Sequence, residues 1–160
     1  MPNFIQLFTE RLHDSYVQNW NSTRHEMSKL SLYNLYKNSF GTEQYLLLNV
    51  PRRLRRFLAK FRTSDLNLEI VTGRHYGIER AERLCKLCLR NNDNRVEDEF
   101  HFLLECPAYK ELREIYLGHT EATLFYFCSI LMSDESSLLI CLANYICSAF
   151  QVRCQKLNEQ

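Results

Sequence analysis

The chain has 160 residues, 46% hydrophobic and 24% charged, with a formal net charge of +1 and only four glycines and three prolines. That supplies one buried core and excludes a low-complexity or collagen-like chain. Seven cysteines, an odd number, fit a reducing compartment better than a disulfide framework. Met1-Pro2-Asn3-Phe4 lacks the pattern of a signal peptide, so the expected location is intracellular, nuclear or cytoplasmic, with the sequon at Asn21 unglycosylated.

In chain order, Phe4, Phe8, Leu12, Tyr16 and Trp20 recur every four residues and predict a first helix over about 3–20 with one apolar face. Met27 to Tyr36 predicts one or two short helices, broken at Phe40-Gly41. Pro51 suits a first helical turn, and Leu54, Phe57, Leu58 and Phe61 then fall at i, i+3, i+4 and i+7. Leu66, Leu68 and Ile70 alternate with polar residues and predict a short extended piece. Tyr109, Leu112, Tyr116 and Leu117 line a later helix that Gly118 ends. Leu124 to Met132 is apolar, and Ser133 or Asp134 can cap a last helix from about Ser136 past Arg153. The apolar run from Leu138 to Val152 falls short of the ~20 residues of a membrane span and reads as a core helix.

Between these helices lies Cys85-x2-Cys88-x12-His101-x4-Cys106. Two thiolates in one tight turn and a later Cys/His pair make a closed four-ligand set of the kind that holds Zn²⁺ structurally. In an unbroken α-helix, positions i and i+5 point roughly 140° apart. Pro107 removes that objection by ending the helix at Cys106. The competing reading is four buried residues at chance spacing. His75 and His119 flank the region as substitute ligands of poorer spacing, while His13 and His25 read as surface or packing residues. Cys128, Cys141, Cys147 and Cys154 lack a paired spacing and read as core packing.

Charge is uneven. From Pro51 to Arg95 twelve Lys/Arg stand against five Asp/Glu. Arg52, Arg53, Arg55, Arg56, Lys60 and Arg62 surround the apolar stripe of one helix, and Arg74, Arg80, Arg83, Lys86 and Arg90 lead into the metal spacing. Such a row either is a solvated face or contacts nucleic-acid phosphates, and a neighbouring zinc module favours the second. Tyr76 is placed to stack on a base or to pack.

The segments Phe57 to Arg62, Leu68 to Arg74, Arg80 to Cys88 and Val96 to Pro107 together resemble the zinc-binding C-terminal region of non-LTR retrotransposon reverse transcriptases. The likeness extends to Gln18-Asn19-Trp20-Asn21 and Tyr45-Leu46, with its specific core at about 57–113. It implies that Cys85, Cys88, His101 and Cys106 are the metal ligands and that the region helps hold template RNA or target DNA. The polymerase Tyr-x-Asp-Asp box and the nuclease Pro-Asp…Glu-x-Lys pattern do not occur in the sequence.

The expectation is therefore a mainly α fold, a single helical domain over 1–160 with a zinc-binding CCHC module embedded at 80–110. Its expected function is zinc-stabilised nucleic-acid binding, without catalysis, by a fragment or descendant of such a transcriptase. Arg52, Arg53, Arg55, Arg56, Lys60, Arg62, Arg74, Arg80, Arg83 and Lys86 are the candidate RNA or DNA contacts, with no membrane and no small-molecule substrate. The alternative is a zinc-stabilised protein-interaction module whose partner face is the Leu138 to Phe150 helix. Hydrolysis ranks last, because a four-ligand shell leaves no position for water.

Overall fold

The structure is a computed structural model that describes residues 3–159. Its helices are α1 (Phe4–Glu26), α2 (Ser31–Tyr36), α3 (Gln44–Leu47), α4 (Arg52–Arg62), α5 (Glu69–His75), α6 (Lys86–Leu89), α7 (Lys110–Leu117), α8 (Leu124–Met132) and α9 (Ser136–Asn158). Short 3-10 and π turns join them, and among the described residues the sole β pairing is one antiparallel bridge between Leu84 and Val96. The fold is mainly α, as its patterning predicts.

The core is built on α9, against which α4 and α7 pack most extensively. Leu139, Leu142, Tyr145, Ile146 and Ala149 of α9 are buried, and α4 brings Leu58 and Phe61 to the same core. Leu54 and Phe57, the rest of the predicted α4 stripe, are half-buried beside it. By length and composition α9 could cross a membrane, and in this fold it is the central core helix. The apolar face that the protein-interaction reading assigned to Leu138 to Phe150 is thus largely used up internally. Ser133 accepts a hydrogen bond from the Glu135 N–H, while α9 itself begins without a side-chain cap.

Two expectations are corrected. The extended piece after Leu66 gives way to α5 once Leu68 is passed, because the carboxylate and carbonyl of Glu97 accept from the N–H groups of Glu69 and Ile70 at 2.8 and 3.0 Å. These caps come from far along the chain and satisfy donors that a seven-residue helix otherwise leaves free. The first helix forms and runs longer than expected, capped by Asn3 Oδ1 on the Gln6 N–H at 2.8 Å, yet every residue from 3 to 16 is exposed. A four-residue repeat advances about 40° per step on a helix of 3.6 residues per turn, so Phe4 to Trp20 spiral around the axis instead of forming one face. Docking begins at His13 and Trp20, whose rings meet Phe40 at 6.0 and 5.7 Å, and is completed by Arg24, buried over the Trp20 ring at 4.4 Å and bonded to the Lys37 carbonyl and Asn34.

Candidate metal centre

Cys85 and Cys88 bracket the start of α6. The Leu84–Val96 bridge closes this loop, with the Cys85 N–H on the Arg95 carbonyl at 2.7 Å and the Glu97 N–H on the Arg83 carbonyl at 2.8 Å. At the tip Asn92 has φ 57°, a conformation that asparagine tolerates better than most side chains. The Leu89 N–H returns to the Cys85 carbonyl at 2.9 Å, and the Leu87 and Cys88 amides favour the ionised form of the Cys85 thiol. The polar Asn91-Asn92-Asp93-Asn94 segment lies in this loop.

His101 and Cys106 meet for a reason that differs from the expected one. Residues His101–Glu105 form a π-helical turn, and the Cys106 N–H bonds the His101 carbonyl at 2.8 Å, five residues back. A wider turn brings i and i+5 to the same side, which an α-helix does not, and such rare turns recur at functional sites. Pro107 then opens a 3-10 turn that leads into α7. The carbonyls that this break leaves without helical partners are satisfied from elsewhere. Arg113 donates to Leu103 and Cys106 at 3.2 and 2.8 Å, and the Tyr145 hydroxyl donates to Phe102 at 2.7 Å.

The four ligand atoms of Cys85, Cys88, His101 and Cys106 lie within 4.8 Å of one another, and all four residues are buried. Cys88 Sγ is 3.3 Å from His101 Nε2 and 3.8 Å from Cys106 Sγ, and Cys85 Sγ is 4.0 Å from Cys106 Sγ. A tetrahedral cation with bonds of about 2.3 Å to sulfur and about 2.05 Å to nitrogen requires edges of about 3.8 Å and about 3.5 Å. These three edges match that figure within a few tenths of an ångström, and the other three are no longer than 4.8 Å. A disulfide requires about 2.05 Å, and all three cysteines are free.

Electrostatics argues the same way. A hydrogen bond from Cys106 pulls the Cys85 thiol well below its ordinary range. That same bond, together with burial, pushes Cys106 up, and burial with the Cys85 charge raises Cys88 to about 12. Once Cys85 is ionised, burial and mutual repulsion oppose the ionisation of Cys88 and Cys106. Only a positive charge at the centre lets all three ionise. Burial opposes a charge on His101, but its contacts to Cys85 and Glu105 outweigh burial and raise its pKa.

Outer groups orient the ligands. His101 Nδ1 faces Glu105 Oε2 at 3.3 Å, which leaves Nε2 to the cluster, and Arg95 holds that carboxylate at 3.2 Å. Glu97 Oε1 lies 3.9 Å from Cys85 Sγ and is gripped by Arg153 of α9. Burial raises the Glu97 pKa despite that partner. Arg153 does not stand out in the sequence, and its pairing with Glu97 becomes visible only when the chain is folded. His75 and His119 are exposed and outside the cluster. Cys147 is buried and Cys128, Cys141 and Cys154 are half-buried on α8 and α9.

The basic residues divide into two groups. Arg62 is buried, donating to the Leu131 carbonyl at 2.6 Å and to Glu43 at 2.7 Å, with Tyr36 under its guanidinium. Arg55 donates to the Leu48 carbonyl at 2.7 Å, and Arg83 to those of Ile78 and Ile70 at 2.9 and 3.1 Å. These three brace the fold instead of lining a solvated row, because each guanidinium is committed to backbone carbonyls of neighbouring segments. Lys86 pairs with Glu69 at 2.7 Å and Arg80 with Asp98 at 3.4 Å. Arg52, Arg53 and Arg56 are exposed, and Arg74 half-buried, with no ion-pair partner among the described residues. Lys60 shares Asp65 with Lys29. Tyr76 projects into solvent at 82% exposure and so does not pack.

Compared with protein-family models, with curated proteins and with solved structures, the chain matches none. What fold and site define is a helical protein with a buried Cys3His cluster able to hold a metal ion.

Proposed function

We propose that this protein is a zinc-stabilised nucleic-acid-binding module, and that the Cys3His cluster holds Zn²⁺ as a structural ion. The observation that carries the metal part is the gathering of four buried ligand atoms within 4.8 Å of one another, three of their separations at the edge lengths of a four-coordinate site. Three sulfurs and one imidazole favour Zn²⁺ over harder cations such as Mg²⁺ or Ca²⁺. A closed shell makes catalysis at the ion unnecessary to the reading, and the role assigned to it is structural.

The nucleic-acid part rests on Arg52, Arg53 and Arg56, an uncompensated positive row on α4, with the half-buried Arg74 beside the other end of the module. Such a row supplies phosphate contacts whose strength falls steeply with salt. The resemblance of Arg80 to Cys88 and Val96 to Pro107 to the C-terminal region of non-LTR retrotransposon reverse transcriptases supports the same role and suggests descent from one. An intracellular location, expected from the sequence, would suit that role. Metal and row are connected through α9, since Arg153 binds Glu97 beside Cys85 while Phe150, three residues earlier, packs against Phe57 of α4.

Titration of the purified protein with RNA and DNA oligonucleotides at rising salt tests this reading. The expected result is binding at low salt that drops by orders of magnitude as salt rises; no binding at low salt defeats it. The second reading, a protein-interaction module, is favoured by one observation, the exposed Phe4, Ile5, Phe8 and Tyr16 of α1.

A further inference from the structure

The row on α4 is the rim of a groove. Arg52, Arg53, Arg56, Phe57 and Lys60 of α4 enclose about 750 Å³ together with Leu66 and Asn67, which follow that helix, and Phe150 of α9. That volume lies within the range of about 300–1,000 Å³ typical of ligand sites. Its floor is apolar: Phe57 and Phe150 are half-buried with ring centroids 5.6 Å apart, and Leu66 is buried beneath them. The Arg53 guanidinium lies 6.0 Å from the centroid of the Phe57 ring, and Asn67 is exposed at the mouth.

We infer that this α4–α9 groove binds a single strand of nucleic acid, with a base against the Phe57–Phe150 floor and the flanking phosphates on Arg52, Arg53, Arg56 and Lys60. The inference rests on the nucleic-acid reading above and sharpens it. A duplex turns its base faces inward and offers only phosphates, so it would add no apolar surface over the half-buried Phe57 and Phe150 rings. An unpaired base supplies the missing flat apolar surface, and any base will do because each has a π face. Arg52, Arg56 and Lys60 are spaced four residues apart, so they track about 12 Å of helix, the run of a few nucleotides. The charge complements a polyanion, because Arg52, Arg53 and Arg56 have no acidic partner among the described residues.

The test measures dissociation constants at two salt concentrations for labelled oligothymidylate of about 12 nucleotides, for oligouridylate of equal length, and for the oligothymidylate–oligoadenylate duplex. The variants are Phe150→Leu, which keeps apolar volume but removes the ring, and the double change Arg53→Gln with Arg56→Gln. Circular dichroism confirms that each is folded. The expected result is single strands bound about tenfold or more tighter than duplex, with that preference abolished in Phe150→Leu while the salt dependence is kept. The double variant should do the reverse and flatten the salt dependence, its log–log slope falling by about one unit for each phosphate no longer neutralised. The oligothymidylate and oligouridylate arms tell DNA from RNA, and a preference for either single strand over the duplex supports the groove. Duplex bound as tightly as single strand, with Phe150→Leu indistinguishable from the parent, overturns the groove but leaves the nucleic-acid reading standing. No binding of any probe at low salt removes both.

Discussion

Arg153 holds Glu97 through two nitrogens, Nε to Oε1 at 2.8 Å and Nη2 to Oε2 at 2.7 Å, and thereby ties the end of α9 to the residue beside Cys85. The same Arg153 reaches Glu69 at 3.1 Å, while Glu97 caps α5. One buried fork thus joins three segments that are distant in sequence. Breaking such a pair from one side leaves a charge without a partner, which typically costs about 3–5 kcal/mol. Arg153→Met should therefore lower the unfolding free energy by that order. Changing Glu97→Gln in the same chain should restore part of it, because the stranded carboxylate is removed. Chemical denaturation of the two single variants and the double variant checks this, and strictly additive losses would contradict it.

Metal removal should be felt through the whole fold. Structural zinc sites contribute about 10 kcal/mol or more of apparent binding free energy, and the cluster sits in the same core as α9. Protein purified without added zinc should carry one zinc per chain by elemental analysis, and Cys88→Ser should carry far less and melt much lower. A zinc content well under one per chain would contradict the site.

Acid should release the ion. The ligands bind metal as thiolates and neutral imidazole, and protons compete for the same atoms. The free cluster takes up protons readily, since burial raises Cys88 and the bond to Cys85 raises Cys106. Metal-dependent stability is therefore greatest at neutral and higher pH and disappears as pH falls through the range in which the bound ligands protonate. Zinc release followed with a chromogenic chelator, alongside circular dichroism, should show both changes together. Metal loss without loss of structure would mean that the ion is dispensable to the fold.

Arg113 should matter more than a surface arginine. It donates to two carbonyls around the π turn and to the Tyr145 hydroxyl at 3.3 Å, all buried. Hydrogen bonds to a charged donor are worth about 1.5–3 kcal/mol, and carbonyls left unpaired add to the loss. Arg113→Leu should cost at least about 2 kcal/mol and weaken metal retention, because Cys106 contributes one of those carbonyls. An unchanged melting temperature would refute the role.

The free part of α1 should behave as an isolated helix. A segment of that length without tertiary contacts is marginal in water, so amides from Gln6 to Leu12 should exchange far faster than those of α9. Phe8→Ser should change stability by less than about 0.5 kcal/mol despite the size of the ring, as substitutions away from packed features do. Hydrogen exchange read by mass spectrometry, with a denaturation curve for the variant, tests both; strong protection of α1 would reveal a partner surface in use.

Much of this protein is legible in its residues. The α4 stripe and Pro51, the α7 stripe and its end at Gly118, the last helix from Ser136, and the Cys85, Cys88, His101 and Cys106 spacing each depend on local periodicity or spacing, which a chain carries before it folds. Other features were not legible. α5 exists because Glu97 caps it across the fold, and local alternation at Leu66, Leu68 and Ile70 pointed to extended chain instead. Arg62 belongs to the same basic run as Arg53, yet one is buried on Glu43 and the other faces solvent, a difference that depends on which side of α4 meets the core.

By itself the sequence determined the helical class, which residues gather in the candidate metal cluster and the sign of the charge on α4, since all three follow from residue type and interval along the chain. Tertiary structure alone decided that a π turn brings His101 and Cys106 together, that Arg153 and Arg113 support them, and that Phe57 and Phe150 pack together in the floor of a groove. Those relations join residues many positions apart, and no local pattern encodes which distant side chain will satisfy a buried carbonyl or cover a ring.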